Sequence, residues 1–199
     1  MVPRRTFIQQ SAAAFGASFA LPELAHVMGP LERSSAPAGF VDLTRGPDTV
    51  TAQTADGDLT FTAGHDGRWD ATGIQVRTAR VAGALRVELA ASSSRVKRIG
   101  LRWRAPLTNT RAILGDAWER AYGDLAWRGF EPDRVMPWYV ALSNGTHTHA
   151  YGVRTGAGAF CSWFVDPNGI SLWADVRSGA APLELGSRVL AMCDVVCRA

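Results

Sequence analysis

Leu114 to Trp127 (Leu-Gly-Asp-Ala-Trp-Glu-Arg-Ala-Tyr-Gly-Asp-Leu-Ala-Trp) holds three carboxylates, one arginine and three large aromatic side chains, with two glycines that let the backbone turn. A buried strand tolerates the rings but not four charges. A solvated loop tolerates charges but rarely exposes two tryptophans and a tyrosine. The mixture suits a sugar-binding surface, where pyranose C–H faces stack on indole and hydroxyls find carboxylate and guanidinium partners. Asp116, Glu119 and Asp124 also raise a glycosidase reading, in which two carboxylates act as acid and as nucleophile or base. Against it stand Arg120 and Arg128, which can pair with the same carboxylates. No Gly-x-Ser-x-Gly elbow supports a serine nucleophile, and no glycine-rich phosphate loop occurs.

Other reactive side chains are few. Cys161, Cys193 and Cys197 are an odd set. The last two are expected on one strand, about 13 Å apart and beyond disulfide reach. Only Cys161 is then able to bridge one of them across neighbouring strands, and the simpler expectation is three small buried hydrophobes. His147 and His149 alternate without a carboxylate or cysteine partner at metal-ligand spacing, so they are expected as cross-strand surface histidines, and no metal site is expected.

The 199 residues are 47% hydrophobic and 20% charged, which fits one globular domain with an appendage. The formal charge of +3 includes Arg4 and Arg5, and the arginines are scattered along the chain. A nucleic-acid partner is not expected. Pro3-Arg4-Arg5-Thr6-Phe7-Ile8-Gln9, followed by an alanine-rich stretch from Ser11 to Leu21, resembles a twin-arginine export signal. Ser18-Phe19-Ala20 and Ala25 offer competing cleavage positions, and the run is too short to span a bilayer. The expected organisation is a signal and its flank over 1–30, a linker or extended entry segment over 31–48, and a β-sandwich over 49–199. Localisation is expected to be periplasmic or extracellular, with no membrane attachment once the signal is removed.

Short β-type runs follow at Thr49–Thr54, Leu59–Ala63, Gly73–Thr78, Ala84–Ala90 and Lys97–Arg104. Asn144-Gly145 and Asn168-Gly169 supply the positive-φ pairs that tight hairpins prefer. They predict pairing of Trp138–Ser143 with Thr146–Arg154 and of Ala159–Val165 with Ile170–Arg177, before a last strand, Arg188–Arg198. Trp163 and Trp173 are expected as a cross-strand core pair, and Trp138 and Tyr139 in core or domain-interface packing. The fold class expected is all-β, a large antiparallel sandwich or super-sandwich.

Several separated stretches occur in a characteristic order: Ile113 to Trp127, Arg134-Val135-Met136-Pro137-Trp138-Tyr139, Tyr151-Gly152-Val153-Arg154-Thr155-Gly156, Ala159-Phe160-Cys161, and Ile170 to Arg177. On these, the region from Ile113 to Gly186 resembles the N-terminal part of bacterial α-galactosidase-like glycoside hydrolases of the family 36 (melibiase) type. The part before Ala112 carries only generic β pattern. The resemblance implies a β super-sandwich ahead of a (β/α)8 barrel that holds two catalytic aspartates. Such barrels need about 250 residues, so no catalytic residue is expected in this chain, which ends at Ala199.

The expected role is a non-catalytic accessory domain of a secreted hydrolase, bordering the sugar pocket of that barrel. In the family this domain lends side chains to the sugar pocket, in some members across a subunit interface. Carried over, Trp118 becomes a stacking residue and Asp116, Glu119 and Arg120 become polar contacts. The competing role for Trp118, Tyr122 and Trp127 is packing against the barrel, with Asp116, Glu119 and Arg120 in an ion-pair network. The implied partners are an α-galactoside or related sugar, the barrel, and a further copy in a homo-oligomer; no cofactor is implied. A free-standing carbohydrate-binding module is the alternative. It would use the same aromatics on a finished surface, whereas the accessory domain would expose an apolar patch for its barrel.

Overall fold

The computed structural model describes residues 40–115, 125–154 and 156–198. Fourteen strands follow in order: β1 (Thr49–Thr54), β2 (Asp58–Thr60), β3 (Thr62–Ala63), β4 (Arg68–Ala71), β5 (Ile74–Val81), β6 (Ala84–Ala91), β7 (Val96–Arg104), β8 (Ala112–Gly115), β9 (Met136–Pro137), β10 (Tyr139–Ser143), β11 (Thr148–Val153), β12 (Phe160–Asp166), β13 (Gly169–Asp175) and β14 (Val189–Arg198). They form a six-stranded sheet in the order β2-β1-β7-β13-β12-β9 and an eight-stranded sheet in the order β3-β4-β5-β6-β14-β11-β10-β8. Every strand pairing among the described residues is antiparallel. The two sheets pack as the sandwich that the period-two patterns predict. Along β6, for example, Leu85, Val87, Leu89 and Ala91 are buried while Arg86, Glu88 and Ala90 are less so.

Finer features depart from expectation. The run Leu59–Ala63 is two strands in two sheets, because the chain changes layer at Phe61, whose ring is buried between them. Both predicted hairpins form, yet neither Asn144 nor Asn168 has a positive φ. Instead the Asn144 side chain accepts from the amides of Thr146 and His147, and only Gly145 and Gly169 enter positive φ. The β12–β13 register matches Ser162 with Trp173 and Trp163 with Leu172. The two tryptophans therefore lie on opposite faces: Trp163 is buried in the core and Trp173 is half-buried on the outer face. Strand parity separates them, since an odd cross-strand offset flips a side chain to the other face.

In the entry segment over 40–48, Val41 and Leu43 are buried in the core. The Trp103 indole N–H on β7 donates to the Leu43 carbonyl at 3.1 Å, and the Val41 amide donates to the Tyr151 hydroxyl on β11 at 3.1 Å. One segment thus ties both sheets. Trp163 is as buried as Trp103, but its indole N–H has no partner. An unmade buried hydrogen bond costs stability, whereas breaking a made one strands the Leu43 carbonyl. Trp103→Phe is therefore expected to cost about 1–3 kcal/mol more than Trp163→Phe. Equal losses in urea unfolding would contradict the assigned roles.

The same segment explains a second departure. His147 lies in the exposed turn, but His149 is buried on β11, with the Phe40 ring stacked on it at 3.3 Å between centroids and 17° between planes. Burial first, then the neighbouring His147, lowers its basicity below the ordinary imidazole value. The unfolded chain therefore binds this proton more readily than the native one. Stability from this group is complete above the unfolded value of about 6.5 and declines as pH falls through it. Between pH 7 and 5.5 the slope is bounded by about 1.4 kcal/mol per pH unit for one proton. His149→Phe should flatten it, and an unchanged slope in that variant would place the titration elsewhere.

Cys193 and Cys197 do share β14, and Cys161 lies on β12 of the opposite sheet, so Cys161 is on no strand adjacent to them. All three are free thiols. Contact with the Cys161 thiol, then burial, raises the Cys193 thiol well above its usual value, as suits an inert core side chain. No helix among the described residues is long and apolar enough to cross a membrane.

Candidate functional site

The two outer faces of the sandwich differ in chemistry. Both carry ion pairs: on the eight-stranded sheet Arg86 reaches both Asp194 oxygens at 3.0 and 3.1 Å and Arg154 lies 3.6 Å from the same carboxylate, and on the six-stranded sheet Arg102 lies 2.7 Å from Asp166. Such pairs satisfy a solvated face and ask for no ligand. The six-stranded sheet in addition turns outward Phe160, Ser162 and Phe164 from β12, Ser171, Trp173 and Asp175 from β13, and Arg98, Gly100 and Arg102 from β7. Aromatic rings there alternate with hydroxyl, carboxylate and guanidinium groups.

Trp138 stands where the two sheets meet. Its amide donates to the Cys161 carbonyl of β12 at 3.0 Å, and its carbonyl accepts from the Val153 amide of β11 at 3.1 Å. One residue thus closes a hydrogen bond to each layer as the chain passes from β9 to β10. The passage requires a left-handed backbone, with φ at 64°. For a bulky side chain that conformation costs about 1–3 kcal/mol and persists only where surrounding structure dictates it. The indole is turned out of the core, 40% exposed, so of the expected core or domain-interface packing the core alternative does not hold. It is not left loose: Phe160 meets it edge-on, with centroids 4.9 Å apart and planes at 74°.

Beside these rings lies a shallow, open depression of about 400 Å³, lined by Trp138, Phe160, Asp175, Arg177, Gly158 and Gly179 among others. That volume falls in the range of small-ligand sites. Its polar wall is an ion pair, Arg177 Nη2 to Asp175 Oδ2 at 2.6 Å, with a further bond from Arg177 Nε. Burial pushes the Asp175 carboxyl up, but the Arg177 side-chain and backbone hydrogen bonds and the charges of Arg177 and Arg98 outweigh it. The carboxyl lies below its ordinary value and is ionised at neutral pH. An aromatic face beside a fixed carboxylate and guanidinium matches what a sugar ring presents. Three other depressions, near Ser93, Gln75 and Pro106, are lined without an aromatic ring.

Asp116, Trp118, Glu119 and Arg120 lie outside the described residues, as does Tyr122. The anchors of that segment are described. Gly115 ends β8 opposite Val140, two residues beyond Trp138, so the segment leaves the sheet at the end where Trp138 sits. On its far side the chain returns along the β8 edge: Arg128 pairs with Ile113, and the Arg134 guanidinium donates to the carbonyls of Ile113 and Ala126. Leu125, Trp127 and Val135 of this return are 52%, 47% and 41% exposed.

Reading the residues alone passed over Phe160, Asp175 and Arg177 as site residues. Parity along β13 was the available signal, since Ser171, Trp173, Asp175 and Arg177 share one face in strict alternation. Among the described residues no group of three histidine, cysteine or acidic side chains is placed to hold a metal. Neither the family models, nor the curated proteins, nor the solved structures compared with this chain gave a match.

Proposed function

We propose that this chain is a sugar-binding accessory β-sandwich of an exported α-galactosidase-like glycoside hydrolase, contacting an α-galactoside at the end of the sandwich marked by Trp138. The observation that carries the proposal is the Trp138–Phe160 pair beside the Asp175–Arg177 ion pair. There a strained backbone holds an indole outward next to fixed polar groups. Asp116, Trp118, Glu119 and Arg120 would act at the same end as further sugar contacts, on a segment anchored at Gly115. The accessory-domain reading is favoured over a free-standing module by Leu125, Trp127 and Val135, three exposed apolar side chains on one edge-covering segment. Catalysis of α-galactoside hydrolysis would belong to the partner barrel.

The test is calorimetric titration of the full chain with galactose, beside an assay with a chromogenic α-galactoside. Weak binding without turnover is expected. Turnover abolished by changing Asp116 or Glu119 would place catalysis on the sandwich and overturn the accessory role, and absence of any binding would overturn the sugar site.

A further inference from the structure

The depression at Trp138 is continuous with the outer face of the six-stranded sheet, and that face is ordered in rows. Pairing registers align Phe160, Asp175, Arg98 and Gln53 across four neighbouring strands. The next row, two residues along, is Ser162, Trp173, Gly100 and Thr51. The first row begins at the ring that touches Trp138 and contains the carboxylate of the depression. The second is made of small side chains except for one indole.

That indole has a prepared place. A Cβ on Gly100 would come within 2.7 Å of the Thr51 hydroxyl and 3.0 Å of Trp173 Cη2 and Cζ3, so the six-membered ring lies close over the bare backbone of β7. The Arg98 guanidinium stands 5.9 Å from the ring centroid, and its Nε has no hydrogen-bond partner. Ser162, Ser171 and Thr51 lie on the neighbouring positions of the same face, with the Ser171 hydroxyl accepting from Arg102 at 3.0 Å. From strand spacing and rise, Trp173 is displaced roughly 8 Å from Phe160, one strand across and two residues along. One sugar ring on Trp138 does not reach that far, whereas a linked second or third ring does.

Resting on the sugar-binding reading, we propose that Trp173 forms a second aromatic subsite continuous with the Trp138 depression, and that the ligand is an oligosaccharide laid across the strands of the six-stranded sheet. The terminal ring occupies the depression, and the following rings lie over Trp173 between its flanking hydroxyls and Arg98. Recognition along the chain is by stacking and hydrogen bonding to neutral hydroxyls.

Calorimetry of the full chain with galactose and with raffinose separates the two subsites. The wild-type chain is expected to bind the trisaccharide about tenfold more tightly, equivalent to about 1.4 kcal/mol. Trp173→Ala should abolish that gain and leave galactose affinity unchanged. The unfolding midpoint of the same variant guards against an effect of misfolding. Equal affinity of the wild-type chain for the two sugars, or a gain that survives Trp173→Ala, overturns the second subsite while leaving the Trp138 site standing. No binding of either sugar overturns the underlying reading as well.

Discussion

Gly169→Ala is expected to destabilise the sandwich by about 3 kcal/mol or more, a large share of the roughly 5–15 kcal/mol that holds a domain of this kind. Gly169 opens β13 with φ at 146°, where side-chain-bearing residues are strained. Steric conflict adds to the strain, because its Cβ would stand 2.1 Å from the Trp103 carbonyl oxygen and 3.2 Å from the Ala105 amide nitrogen. These are backbone atoms of a central strand and cannot swing aside. The hairpin tip is also tied to the segment that follows β7, with the Ala105 amide donating to the Asn168 carbonyl and the Leu107 amide to the Pro167 carbonyl. Relieving the clash therefore means parting β13 from β7 in the middle of the six-stranded sheet. Gly57→Ala is the control, since Gly57 has φ at 135° but nothing within 4 Å of its Cβ position. Its loss should reflect strain alone, about 1–3 kcal/mol. Equal shifts in urea midpoint for the two variants would contradict the clash.

Substitution of Trp138 should separate stability from binding. Trp138→Gly relieves a left-handed φ worth about 1–3 kcal/mol, and removes an edge-to-face contact with Phe160 worth about 0.5–1.5 kcal/mol. The apolar area that the half-covered indole loses adds about 1–3 kcal/mol, so the unfolding midpoint is expected to fall modestly while the fold is kept. Sugar affinity should fall at least tenfold, because the stacking surface is gone. Failure of the variant to fold would mean that Trp138 is a structural residue, and undiminished sugar affinity would remove it from the site. A strained residue whose relief leaves the fold intact and costs function is the pattern expected where strain is kept for a ligand.

The layer architecture was legible because it depends on period-two burial, which residues such as Leu85, Val87 and Leu89 state directly. What escaped depends on where the chain changes layers. Phe61 and Trp138 both mark such crossings, and a crossing interrupts the alternation that makes a strand readable. Trp138 therefore read as the start of a strand, although its amide and carbonyl serve different sheets. Trp163 and Trp173 flank one hairpin, and only the exact register, Ser162 opposite Trp173, shows that they face apart. His149 was misplaced for a different reason: its cover, Phe40, comes from an entry segment more than a hundred residues away in sequence. Asp175 and Arg177 were visible as charges, but their partnership with Phe160 and Trp138 arises only when β12 and β13 pair. The motif from Asp116 to Arg120 lies outside the described residues, and only its anchor at Gly115 is placed.

The sugar site at Trp138 is tested most directly by the indole N–H resonances of the seven tryptophans in the nitrogen-labelled chain, followed during titration with galactose. Trp138→Phe identifies one resonance by its disappearance. That signal is expected to move with saturating behaviour, while those of the buried Trp103 and Trp163 stay in place. A spectrum in which the Trp138 resonance is unmoved at saturating galactose would contradict a sugar site at this end of the sandwich.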